Sequence, residues 1–343
     1  MKINKLVILC SMILLLFLTG CVGGKKEKPT LYVYNWTYYL PAEVITAFEK
    51  KFNVKVVYDV FSSNEEMFAK LKAGGKGYDL TFPSGDFTKI MIKEGMLAPI
   101  DKTLIPNFKY IDGRMIAKIK FDEGNKFSVP YMVGTAGIAV NKNQVKNYEH
   151  SSSIFGRSDL KNKMTLLDDM REVIGLALKN LGYSVNTTSD EELTKAKDLV
   201  LQWKKNVLKF DSESFGKGFA SDEFLVVQGY AENVYLELDE SQKSKVDFFV
   251  PKEGGPMYMD SMVILKDSKN IALAHQFINY ILEPENFAKI VDFLGLPSIN
   301  TGTKKFTTTT PNYQIEDLAN CEFKEDLGEA VEKYNKIWEQ IRI

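Results

Sequence analysis

Between Leu31 and Gly95 the chain alternates short apolar runs with apolar stripes at a spacing of four, and this alternation limits the fold more than any other feature. Leu31–Tyr34 predicts a strand. Pro41 stands at the favoured first position of a helix, and Val44, Phe48 and Phe52 follow on one face. Val54–Tyr58 predicts a second strand. Asn64 is the expected cap of a second helix whose inner face is Met67, Phe68 and Leu71, with Gly74 at its end. Tyr78–Phe82 predicts a third strand, and Phe87, Ile90 and Met91 mark a short helix closed by Gly95. Strands and helices in this order bury themselves as a parallel sheet with crossover helices, so the fold class is α/β. Ligands of such sheets lie off the carboxyl ends of the strands. Two segments occupy those ends, Asn35–Tyr39 and Pro83–Asp86.

The pattern continues. Gly137–Asn141 and Met164–Asp168 predict strands, and a helix over Asp169–Leu181 turns Val173, Ile174, Ala177, Leu178 and Leu181 inward before Gly182. Glu191–Leu208 predicts an amphipathic helix. Phe224–Val227, Val246–Val250 and Tyr258–Leu265 predict strands, the last after a Pro251–Pro256 turn. Helices are expected at His275–Ile281 and Phe287–Phe293, with Pro284 between them, and at Asp326–Ile341, with a polar loop at Thr307–Pro311. A chain of 343 residues with this content calls for two domains.

The amino terminus is of another kind. Lys2 and Lys5 precede Leu6–Leu18, an uncharged apolar run of thirteen residues. A bilayer core needs roughly 20, so the run fits a signal-peptide core over residues 1–20. It ends in Leu18-Thr19-Gly20-Cys21, which resembles the lipobox of bacterial lipoproteins. That resemblance implies cleavage before Cys21 and acylation of its thiol. Residues 21–28, Gly- and Lys-rich, are expected to be a flexible linker. The full chain carries 44 basic and 45 acidic side chains, and loss of residues 1–20 removes two lysines and no acid. A near-neutral, slightly acidic body excludes a nucleic-acid-binding footprint. With Cys21 acylated, Cys321 is a lone thiol of the kind usually found in a core.

The sequence offers little to an enzyme. His150 and His275 are the only histidines, and neither lies near metal-ligand partners. No nucleophile elbow, zinc-protease motif or phosphate-cradling loop is present; Gly74-Gly75-Lys76-Gly77 follows a helix, not a strand. Asp168, Asp169 and Glu172 could pair for glycoside hydrolysis, but no spacing specifies it. As a binding set the same residues are more telling. Asp169 and Glu172 place two carboxylates on the first turn of a helix, where capping and the helix dipole also favour acids. Trp36, Tyr38 and Tyr39 cluster, as core or as site. Tyr258 and Asp260 share one face of a strand, and an acid inside an apolar strand needs a cation or donors. Ring faces alternating with carboxylates suit an elongated organic cation.

Four stretches, LYVYNWTYYLP, SNEEMFAKLKAGGKGYDLTFPS, DDMREV followed by LGYSVNTT, and VPKEGGPMYMDSMVI, are similar to the periplasmic spermidine/putrescine-binding proteins of polyamine ABC transporters. The similarity covers nearly the whole chain after the leader. It implies a two-lobed periplasmic-binding-protein fold of type II, its lobes joined by crossing strands around a ligand cleft. Lobe one is expected at 29–135 plus 259–301 and lobe two at 136–258 plus 302–343. By matching motif, Trp36, Thr37, Tyr39 and Ser84 are site residues, Asp169 and Glu172 bind one amine end, and Tyr258 and Asp260 form an aromatic–acid pair. Tyr230, in Gly229-Tyr230-Ala231-Glu232, takes the place of an aromatic. The chain departs from the family where Tyr38 replaces an acid, Asp86 stands near an aromatic position, Leu296 replaces a tyrosine and Lys324 replaces a glutamine. A lysine beside a cationic ligand needs an acid such as Asp86 to pair with it.

The resemblance therefore implies a lipid-anchored monomer on the extracytoplasmic face of a bacterial membrane. It would capture putrescine or spermidine by hinge closure and deliver it to an ABC permease, with no cofactor, metal or enzymatic activity. The alternatives are another small cationic or amino-acid-like solute and, more remotely, a carboxylate-based hydrolase. A carboxylate-bearing ligand should need a cleft arginine, and the chain has only Arg114, Arg157, Arg171 and Arg342. Arg171, between the two helix acids, is expected to point away from the cleft.

Overall fold

The computed structural model describes residues 28–37, 39–75 and 77–343. The leader, Cys21 and Tyr38 lie outside the described residues. Two sheets organise the rest. The first is built from β1 (Thr30–Trp36), β2 (Lys55–Phe61), β3 (Leu80–Thr81), β4 (Ser128–Thr135), β10 (Pro256–Ile264) and β11 (Glu322–Phe323). Its order is β11-β10-β3-β1-β2, with β4 also paired to β10. As the β-α-β-α pattern requires, β1 runs parallel to both β2 and β3. The second sheet has the order β7-β6-β8-β5-β9, from β5 (Gly137–Asn141), β6 (Met164–Leu166), β7 (Val207–Phe210), β8 (Val226–Gly229) and β9 (Val246–Phe249).

Helices cover both sheets for reasons visible in their ends and faces. Helix α1 (Ala42–Phe52) has Pro41 as its N-cap, one place earlier than expected, and Asn53 ends it in the left-handed conformation. Its Val44 and Phe48 are buried, and the Phe48 ring meets that of Phe277 edge-on at 4.8 Å. Phe277 lies on α10 (Ile271–Ile281), which together with α11 (Pro284–Leu294) packs on α1. Pro284 is thus the first residue of a helix rather than a linker between two. Helix α2 (Asn64–Lys72) is capped by Ser63, whose hydroxyl accepts from the Glu66 N–H, not by Asn64; Asn64 serves the site instead. Helix α3 (Gly85–Lys93) follows β3 directly.

In the second half, α5 (Met170–Asn180), α6 (Asp190–Lys204) and the terminal α12 (Val331–Arg342) pack on one another. The helix expected to reach Leu208 stops at Lys204, because Val207–Phe210 leaves it to pair in parallel with β6. The short α4 (Gly113–Lys118), α7 (Phe215–Ala220), α8 (Ala231–Leu236) and α9 (Glu240–Lys243) complete the set. Cys321 is buried and is the free cysteine among the described residues.

Three passages connect the halves: Thr135–Gly137 between β4 and β5, the turn between β9 and β10, and the stretch after β11. They are stitched together by Thr135 Oγ1 donating to Pro256 O at 2.6 Å and by the N–H groups of Glu322 and Lys324 donating to Gly255 O and Met257 O. The stretch 302–323 sits with the first sheet, although lobe two was expected to begin at 302. Thr303–Lys305 packs on α11, and β11 extends the sheet beside β10. Its short turns carry no periodicity that could have shown which sheet they join.

Candidate functional site

The site grows from the register of β10 against its neighbours. Val263 faces Thr81 and Ile264 faces Leu80. The same antiparallel register runs on past the end of β3 to an isolated bridge between Ser84 and Asp260, with Ser261 N–H donating to Pro83 O at 3.0 Å. On the other side of β10, pairing with β4 slips at Asp260/Ser261, which oppose Met132 and Pro130. Pro130 has no N–H to give to a ladder, and such irregularities re-aim side chains beside functional sites. Asp260 is thereby held in a fixed direction and is 4 % exposed.

Its partners come from the other strand ends. Ser84 Oγ donates to Asp260 Oδ1 at 2.6 Å, and Tyr39 Oη donates to Asp260 Oδ2 at 2.7 Å. Both donors are neutral, and a carboxylate with about four lone-pair sites can accept more. Asn64 orients Ser84 from both sides, accepting from its N–H and donating to its hydroxyl. Tyr131 holds Tyr39, donating to its carbonyl at 2.6 Å and meeting its ring edge-on. Trp36 is fixed by its indole N–H on Phe82 O at 2.8 Å and by its ring against Phe61 at 4.6 Å. Thr37 is exposed and returns its hydroxyl to Phe61 O.

The second half supplies a second group. Asp169 is the N-cap of α5, accepting from Glu172 N–H at 3.0 Å, so its capping role is real. Glu172 does not complete a capping box. Its side chain is buried and accepts from Lys324 Nζ at 2.6 Å, and from Tyr230 Oη at 3.4 Å. Glu172 Oε2 is buried without a hydrogen-bond partner. Lys324 therefore pairs with Glu172, not with Asp86. The Tyr230 ring meets that of Tyr258 edge-on at 6.1 Å, linking the two groups. Asp86, on the first turn of α3, accepts from Phe87 N–H and lines the opening beside Lys324. Arg171 points elsewhere: it donates to Glu325 O and Asn186 Oδ1 and lies over the Tyr334 ring. Leu296 is buried in the core of the first half.

Burial dominates the electrostatics of these groups. Burial pushes the Asp260 carboxyl up to about 6, against the pull of its Ser84 and Tyr39 donors. Burial also pushes Glu232 up to about 7, and Asp260 adds to the effect. Burial raises Glu172, while the Lys324 ammonium opposes it. Burial works against the charge on Lys324, but Glu172 and Asp169 outweigh it and hold the ammonium protonated. Glu232, on the first turn of α8, was not singled out from the sequence. It follows Tyr230 by two residues just past a strand end, and that position was the available signal.

A two-sheeted α/β molecule with carboxylates and ring faces gathered at its strand ends has the architecture of a solute-binding protein. Comparison agrees: residues 43–316 match the family described as bacterial extracellular solute-binding protein. The chain is 34 % identical over 324 residues to the spermidine/putrescine-binding periplasmic protein of Escherichia coli, covering 92 % of each. It is 31 % identical over 355 residues to a putrescine/cadaverine-binding protein of Pseudomonas aeruginosa, covering 96 % of this chain and 99 % of that one. Among solved structures, the TpPotD lipoprotein of Treponema pallidum superposes with a TM-score of 0.88 at 46 % identity, over 91 % of this chain and 99 % of that chain. The chain belongs to the bacterial extracellular solute-binding proteins, and its fold is that of the type II periplasmic binding proteins.

Proposed function

We propose that this protein captures a polyamine between its lobes and passes it to an ABC permease, without chemical turnover. The observation that carries the proposal is the pair of acids Asp260 and Glu232. Asp260 is buried with neutral donors alone, Glu232 is half-buried at the start of α8, both are pushed up by burial, and the cleft lysine is already committed to Glu172. An ammonium ion supplies the charge and the N–H donors they lack. Tyr39 and Ser84 orient Asp260, while Trp36, Tyr230 and Tyr258 offer ring faces to the methylene stem. Thr37 and Asp86 flank the entrance, and Asp169 and Glu172 close the far wall. The names of the relatives, which bind spermidine, putrescine or cadaverine, support this ligand class.

Calorimetric titration with putrescine, cadaverine, spermidine and spermine tests the reading. Saturable heat with at least one is expected; no heat with any of the four removes the ligand class. We also propose that the protein is a monomer anchored by acylated Cys21, since a tethered binder stays at high local concentration over its permease. A Cys21→Ser variant should move from the membrane fraction to the soluble fraction. Continued membrane retention of that variant would remove the anchor.

A further inference from the structure

We infer that Lys324 is the specificity-determining residue of this cleft, and that it shortens the site to a diamine by occupying the end that a third ammonium would need. The inference rests on the polyamine reading above.

The geometry is specific. Lys324 follows β11 at the edge of the first sheet, where its N–H donates to Met257 O beside Tyr258. From there its side chain crosses to the other lobe and reaches Glu172 at 2.6 Å. The Lys324 side chain is 19 % exposed and that of Glu172 1 %. A buried pair of this kind resists separation, because removing one partner leaves the other charge desolvated and alone. The protein's own ammonium thus stands at one anionic wall. Asp260, which accepts only from the neutral Ser84 and Tyr39 hydroxyls, remains for an ammonium of a short diamine.

Beyond Lys324 the opening does not become more acidic. It is lined by Lys89, Lys118 and Lys120 against Asp86, Glu325 and Asp326, and Lys120 is already paired with Glu325 at 3.1 Å. A longer cation extended past Lys324 would bring its extra ammonium toward several like charges. Discrimination of this type works by repelling the wrong ligand as much as by attracting the right one.

The test compares putrescine with spermidine by calorimetry in wild type, Lys324→Gln and Lys324→Met. Wild type should favour putrescine. Both variants should shift the spermidine-to-putrescine affinity ratio at least about tenfold toward spermidine, the scale of one removed charge repulsion. A second measurement needs no variant: wild type should bind N1-acetylspermidine, whose propyl end is neutral, more tightly than spermidine. A ratio within about twofold of wild type in folded variants, or an acetylated ligand no better than spermidine, overturns the inference and leaves the polyamine reading standing. Absence of binding to every amine in wild type removes both.

Discussion

At the scale of single residues, Asp260 decides most. Its two oxygens accept from neutral donors, so its charge is available to a ligand. A raised acid has a defined sign in the linkage between protons and stability. Its folded-state value, about 6, lies above the ordinary carboxylate value, so the ligand-free fold binds this proton more tightly than the unfolded chain does. The contribution to stability is present at low pH and is lost as pH rises through about 6; Glu232 adds the same trend up to about 7. Ligand binding runs the other way, because an ammonium needs the ionised acids. Putrescine affinity should therefore fall by about tenfold or more from pH 8 to pH 5, with proton release on binding near neutrality, measured by calorimetry in buffers of different ionisation enthalpy. Asp260→Asn should cost about 2–5 kcal/mol of binding and flatten the profile. An unchanged affinity in that variant would exclude Asp260 as the ammonium partner. Asp260 was legible in the sequence because an acid in an apolar strand is conspicuous. Lys324 bonded to Glu172 was not, since the partners are 152 positions apart and only the fold brings them together.

At the scale of elements, periodicity carried as far as local structure dominates. The three β-α steps at the start are legible because each helix shows one buried stripe and each strand a short apolar run. Strand β4 escapes the same reading, although every residue in it is buried. Its sequence, SVPYMVGT, is broken by Pro130 and Gly134, which look like loop residues. Both have tertiary reasons. Pro130 lies at the slip in pairing with β10. Gly134 faces Tyr258 across the sheet, where an added Cβ would fall 2.2 Å from the tyrosine hydroxyl. The backbone of β4 thus leaves the room that lets Tyr258 reach its position in the cleft. Helix α6 shows the opposite failure. Its amphipathic pattern reads on through residues 205–208, but parallel pairing with β6 removes Val207 and Leu208 from the helix. Sheet pairing is a non-local gain, and a window of fifteen residues does not contain it.

At the scale of the whole molecule, the cleft sets like charges from the two lobes against each other. Asp260 and Asp86 come from the first lobe, Glu232 and Asp169 from the second, and the Lys324–Glu172 pair, neutral as a unit, leaves that charge uncompensated. The passages between the lobes are tightly made. At Gly137 an added Cβ would lie 2.5 Å from the Phe248 ring and 2.7 Å from Phe249 O, so this passage is packed, not a slack tether. The position of the equilibrium is then governed by charge in the gap. A dication bound to both lobes favours the closed state, because only that state offers both sets of contacts. Small-angle scattering should show the radius of gyration falling when putrescine saturates the protein at pH 7.5, with no change for 1,4-butanediol at the same concentration, since the diol has the length without the charge. Protonation should act in the same direction. At pH 5, below the values reached by Asp260 and Glu232, repulsion is relieved and the ligand-free protein should itself become more compact. Closure by the neutral diol, or a radius unmoved by putrescine at saturation, would show that charge in the cleft does not govern the lobes.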